Sequence, residues 1–157
     1  MSLWPSIIAV LGTLAGALTA GLLQQRSART ARAEERADSH RQDQLDAVTG
    51  FAAALDAHRS AMFHRERLAL AGADTERQLE AQTTSHDTRA AVTAPHIRLQ
   101  VLVPELAGPA QQAADATYAL RKAVDRTDLD ARRHAAREAS VALIAAAATL
   151  PAPTTVG

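Results

Sequence analysis

His96-Ile97-Arg98-Leu99-Gln100-Val101-Leu102-Val103 is the stretch on which the fold turns. Ile97, Leu99, Val101 and Val103 alternate as a strand would, while Leu99, Leu102, Val103 and Leu106 fall one helical turn apart. Nothing else in the chain offers a partner strand, and an unpaired strand leaves its backbone donors unsatisfied when buried. The stretch therefore reads as helix, and the fold class as all-α.

Working outward from it, Pro95 removes a helical donor and predicts a kink or a stop. On the other side Pro104, Gly108 and Pro109 predict a turn or a strongly kinked segment. Upstream, Ala71-Gly72-Ala73-Asp74 interrupts the helical pattern, and Thr75 with Gln78 has the spacing of a capping box, which starts a helix near Thr75. Before that break, Leu45, Val48, Ala52, Leu55, Met62 and Ala69 form an apolar stripe interrupted at Arg59 and Glu66 and widened by Phe51 and Phe63. A third helix is expected from about Ala110 to between Asp125 and Asp128, with Ala113, Thr117, Leu120 and Val124 on one face. Thr127 or Asp128 can cap the last helix, which carries Leu129, Ala136, Ala139, Leu143, Ala146 and Leu150 and ends before Pro151. Short connections make residues 45–150 an antiparallel helical bundle, followed by a loose tail over 151–157.

The amino terminus has a different character. Leu3 to Leu23 is an uncharged run of 21 residues, which as a helix spans roughly 31 Å, close to the ~30 Å hydrocarbon core of a bilayer. Residues 1–23 thus predict a single transmembrane helix. Arginine is absent before Arg26 and then recurs at Arg29, Arg32, Arg36 and Arg41, which by the positive-inside rule places the carboxyl side in the cytoplasm and the amino terminus outside the inner membrane. A cleaved signal peptide is the competing reading, on Ala15-Gly16-Ala17, but no basic n-region precedes the run and it is long for an h-region. Ala9, Gly12, Thr13, Gly16 and Ala20 share one side of this helix and could form a packing face built on Gly12-x-x-x-Gly16. Residues 24–44 hold no apolar side chain larger than alanine and read as a solvated juxtamembrane stalk, whose Arg26, Arg29, Arg32 and Arg36 could meet anionic lipid.

Composition narrows the functional classes. Seventeen basic and 17 acidic side chains give a formal net charge of zero, which disfavours a generally basic nucleic-acid binder. Cysteine is absent, excluding disulfides, thiolate metal sites and cysteine catalysis. With 38 alanines and 3% aromatics the bundle core is thin, so homo-oligomerisation is expected. No two of His40, His58, His64, His86, His96 and His134 are one helical turn apart, and no Glu-x-x-His occurs, so no metal or cofactor is expected. Phosphate-loop and nucleophile-elbow signatures are missing, and the chain reads as no enzyme. Asp56, His58 and Glu66 lie near one another along a helix, where solvation explains them better than acid–base chemistry. The best basic patch beyond the stalk is Arg132, Arg133 and Arg137, bracketed by Asp128, Asp130 and Glu138 and without interleaved aromatics.

Leu11-Gly12-Thr13-Leu14-Ala15-Gly16-Ala17-Leu18, Leu22-Leu23-Gln24-Gln25-Arg26, and Ala61-Met62-Phe63-His64-Arg65-Glu66 with Ala71-Gly72-Ala73 resemble the KilB-like plasmid spread membrane proteins of streptomycetes and related actinobacteria. The resemblance covers most of the chain, most closely residues 3–72 and the region from Val92 to Leu106. It implies a small membrane-associated protein linked to the intermycelial spread of conjugative plasmids, with no enzyme activity and no catalytic residues to carry over. Two readings follow: a membrane-anchored helical scaffold that recruits an unidentified protein partner, or a membrane-tethered sensory bundle that binds a small ligand. The arginine distribution favours the first, because the second needs the reverse topology.

Overall fold

The computed structural model describes the backbone of residues 4–150 and the side chains of residue 32 and residues 34–150. The described residues form four helices and no strand: α1 (Trp4–Leu70), α2 (Thr75–Leu102), a 3-10 turn (Pro104–Leu106), α3 (Ala107–Tyr118) and α4 (Arg126–Ala148). The chain divides into two compact units, one up to Arg41 and one from Gln42. The expected transmembrane run and its face of Ala9, Gly12, Thr13, Gly16 and Ala20 lie outside the residues with described side chains, as do Arg26 and Arg29. Among the described residues no helix is long and apolar enough to cross a membrane. Arg32 and Arg36 are exposed on α1.

The Ile97–Val103 stretch resolves in favour of helix. Leu99, Val103 and Leu106 are buried while Ile97 is 56% and Val101 72% exposed, so burial follows the turn of a helix and not alternate residues. α2 runs through Pro95 without stopping.

The break between α1 and α2 is built from local hydrogen bonds. Gly72 takes φ +64°, open to a residue without a Cβ, and the Ala73 amide donates to Leu68 O at 3.0 Å while the Gly72 amide donates to Ala69 O at 3.2 Å. These two bonds are a Schellman termination. α2 begins at Thr75 as expected, but Thr75 is not its cap: Asp74 Oδ1 accepts from the Arg77 amide at 3.0 Å, and the Gln78 side chain reaches back to Ala73 O at 2.6 Å. A carboxylate one residue earlier satisfies the free donor and adds charge at the positive helix end.

The same correction recurs at α4, whose cap is Asp125, accepting from the Asp128 amide at 2.8 Å, and not Thr127 or Asp128. α3 also differs from expectation. It starts at Ala107, directly after the 3-10 turn, and ends at Tyr118, so Leu120 is buried from the connection and Val124 is 79% exposed.

Side-chain contacts give the helix directions. Gln44, His58 and Met62 of α1 meet Leu102, Thr88 and Ser85 of α2, so the two helices are antiparallel. Arg59 and Phe63 meet Ser140 and Arg133 of α4, again antiparallel. His58 meets Tyr118 at the end of α3, and Glu66 meets Lys122 in the connection that follows it. From Gln42 onward α1 is thus the member against which the other three pack.

Its buried line is Ala47, Phe51, Leu55, His58, Met62 and Glu66. The expected stripe was rotated from this: Leu45 is 53% exposed and Ala69 also faces water, whereas two polar residues occupy core positions. The main cluster joins Ala47, Phe51 and Leu55 to Val92 and Leu99 of α2, Val103, Leu106, the three alanines Ala110, Ala113 and Ala114 of α3, and Leu143 of α4. A smaller one joins Met62, Leu120, Leu129 and Ala136. Full burial of a side chain the size of Phe51 or Leu99 contributes roughly 2–3 kcal/mol. The alanines contribute less by area, but allow α3 to come close to its neighbours.

Candidate functional site

The polar residues that sequence reading places on a solvated face instead form a seam through the bundle. His58 is 1% and Glu66 7% exposed; Asp56 alone of that trio faces water, where it pairs with Arg59. His58 Nδ1 lies 3.0 Å from Thr88 Oγ1. The same hydroxyl lies 2.9 Å from Thr84 O, to which it can donate. His58 Nε2 is buried and without a hydrogen-bond partner, with the Tyr118 ring edge-on at 5.5 Å between centroids. Arg89 lies over the same Tyr118 ring at 4.6 Å.

Burial drives the His58 pKa from 6.5 down to about 4, with repulsion from Arg89 and then Arg65 adding to it. A second proton would need an acceptor at Nε2 and an anion nearby, and neither faces it. His58 is neutral near pH 7, with Nδ1 beside the Thr88 hydroxyl.

One turn on, Ser85 donates to Met62 Sδ at 3.0 Å, and Arg65 reaches Ser85 Oγ and Glu66. Glu66 uses both oxygens: Oε1 accepts from Arg65 Nε at 3.1 Å, and Oε2 accepts from the Lys122 amide at 3.1 Å. Lys122 has φ +60°, a left-handed conformation that costs an L-residue roughly 1–2 kcal/mol. The buried carboxylate holds it there, and with it the turn from α3 to α4.

The basic patch of the sequence reading is largely taken up by the fold. Arg132 donates to Asp128 Oδ1 at 2.8 Å and to Ala119 O at 2.7 Å, closing the end of α3. This pairing, together with the Val124 amide, lowers the Asp128 pKa. Arg133 lies over the Phe63 ring at 4.2 Å. Arg137 remains exposed, in a shallow groove with His134, Glu138, Val141 and Ala142. Among the described residues no cluster of three His, Cys, Asp or Glu side chains could hold a metal ion.

Glu66, Arg65 and Lys122 also border a groove of about 330 Å³ between the end of α1, the first half of α2 and the α3–α4 connection. Sequence reading could not assemble it, because Glu66 and Lys122 are 56 residues apart. Only the interruption of the apolar stripe at Glu66 signalled that this position is unusual.

The model of the KilB plasmid transfer protein family matches residues 45–151. The chain belongs to that family. It is similar to the protein KilB of Streptomyces lividans, at 51% identity over 143 residues, covering 91% of this chain and 95% of the relative. That length exceeds the family match, so the likeness also reaches outside residues 45–151. No solved structure matches.

Proposed function

We propose that this protein is a membrane-anchored helical scaffold that acts in conjugative plasmid transfer and spread, by assembly and not by catalysis. In this reading residues 3–23 cross the inner membrane with the amino terminus outside, Arg26, Arg29, Arg32 and Arg36 lie at the cytoplasmic lipid surface, and the bundle recruits a protein partner in the cytoplasm. The observation that carries it is the uncharged run of 21 residues followed by Arg26, Arg29, Arg32, Arg36 and Arg41, in a member of a plasmid transfer family. The run matches bilayer thickness, and the arginines lie within the distance over which basic residues set orientation. Homo-oligomers would pack through Ala9, Gly12, Thr13, Gly16 and Ala20, where small side chains let helix backbones approach.

A reporter fused after Val156 tests the orientation. The fusion is expected to be inactive as alkaline phosphatase and fluorescent as a cytoplasmic protein; phosphatase activity would place the bundle outside and overturn the reading. Gly12→Leu with Gly16→Leu is expected to reduce crosslinking in membranes, and unchanged crosslinking would remove the packing face from the proposal. Intact chain in a detergent-free high-speed supernatant would remove the anchor.

A further inference from the structure

The geometry points to the groove bordered by Glu66, Gln82, Arg121 and Lys122 as a docking site for a short acidic peptide segment of a partner protein. This names a partner class for the scaffold reading and rests on it for biological context, while the binding itself does not require the membrane span.

Three cations, Arg65, Arg121 and Lys122, line the groove against one carboxylate, Glu66. That carboxylate is spent, because Oε1 is held by Arg65 and Oε2 by the Lys122 amide. Arg65 is spent with it, since its remaining nitrogen reaches Ser85. What faces outward is therefore a set of donors: the Arg121 guanidinium and the Lys122 ammonium, both exposed and without a hydrogen bond or ion pair, and on α2 the exposed side chains of Gln82 and His86. Arg132 and Arg133, by contrast, are held by Ala119 O, Asp128 and the Phe63 ring. The fold ties up its neighbouring arginines and leaves Arg121 and Lys122 unpaired at the rim of a concavity.

The chemistry of the lining selects the occupant. A small oxyanion is best held by converging backbone amides, and the Lys122 amide is already committed to Glu66. Gln78 is committed to Ala73 O. Gln82 keeps a carboxamide with both donor and acceptor, the complement of a peptide unit, while Arg121 and Lys122 complement its carboxylates. Single-stranded nucleic acid is held by a series of stacking surfaces, and His86 is the one ring among the residues that line the groove. A few acidic residues in an extended chain meet both cations and the Gln82 carboxamide at once.

Fluorescence anisotropy on the full chain in mild detergent tests this, with labelled hexaglutamate, a six-nucleotide single-stranded DNA and tripolyphosphate as probes. Hexaglutamate is expected to bind at low salt, to lose roughly 5- to 10-fold in affinity in Arg121→Gln/Lys122→Gln, and to lose about 2- to 3-fold in Gln82→Ala. Glutamine at 122 keeps the backbone requirement unchanged, and circular dichroism confirms folding. The charge-matched control Arg98→Gln/Arg137→Gln, which alters exposed cations elsewhere, is expected to leave affinity unchanged. No binding of hexaglutamate, equal loss in the control, or tighter binding of DNA or tripolyphosphate through Arg121 and Lys122 each overturns the proposal. A failed orientation test with hexaglutamate binding intact would strike the membrane reading alone.

Discussion

Acidification should loosen the bundle through His58. In the folded chain this imidazole stays neutral down to about pH 4 because it is buried, with Nδ1 on Thr88 and Nε2 facing no acceptor. In the unfolded chain it titrates near 6.5. The folded state therefore binds fewer protons between these values, and the stability His58 contributes is fully present above about pH 6.5 and is lost as pH falls toward about 4. The full difference corresponds to about 3 kcal/mol. Repulsion from Arg89, which is exposed, is screened by water and salt, which leaves about 2 kcal/mol as the expected loss. Urea titrations followed by far-ultraviolet circular dichroism, at about pH 7 and about pH 5, capture most of it, roughly 1.5 kcal/mol. His58→Leu supplies the control. Thr88 keeps its bond to Thr84 O, so the variant leaves no polar atom stranded and should stay within about 1 kcal/mol of the parent near pH 7, with little change at pH 5. A parent protein whose stability is flat over this interval, or a leucine variant that falls just as steeply, would refute the reasoning. The depressed Asp128 carboxyl acts in a separate window, present above the ordinary carboxylate range and lost only at lower pH.

Asp74→Ala should cost about 1 kcal/mol in the same urea assay while Thr75→Ala costs little, because the Arg77 amide is held by Asp74. Equal losses would restore the capping box centred on Thr75. Arg132→Ala strips Ala119 O and Asp128 of their shared donor and should destabilise by about 1–2 kcal/mol, with amide exchange rising first in the residues between Tyr118 and Arg126.

Where large apolar residues marked a face, the fold was legible. Leu99, Val103 and Leu106 sit where helical spacing puts them, and Leu129, Ala136 and Leu143 do the same on α4. Along α1 the signal failed for a physical reason. Ala47 carries too little hydrophobicity to outweigh Leu45, and His58 and Glu66 are core positions that a polarity pattern scores as surface. Caps were misplaced by one to three residues because Thr75, Thr127 and Asp128 compete with Asp74 and Asp125 for the same backbone donors, and the exact geometry decides. The candidate groove was not legible at all. Its members come from three separate elements, and nothing in the sequence tells that Arg132 is occupied while Arg121 is free to meet a partner.

The alanine-lined contact of α3 limits how this chain can drift. Ala110, Ala113 and Ala114 are each at most 1% exposed, and no smaller side chain preserves helix propensity. Added carbon there enters a region already closed to solvent, where overpacking costs stability. Polymorphism in such a protein should therefore gather on its wet faces, while these three sites admit little beyond glycine or serine. A lineage seeking a sturdier version has to add mass at several interlocking positions together.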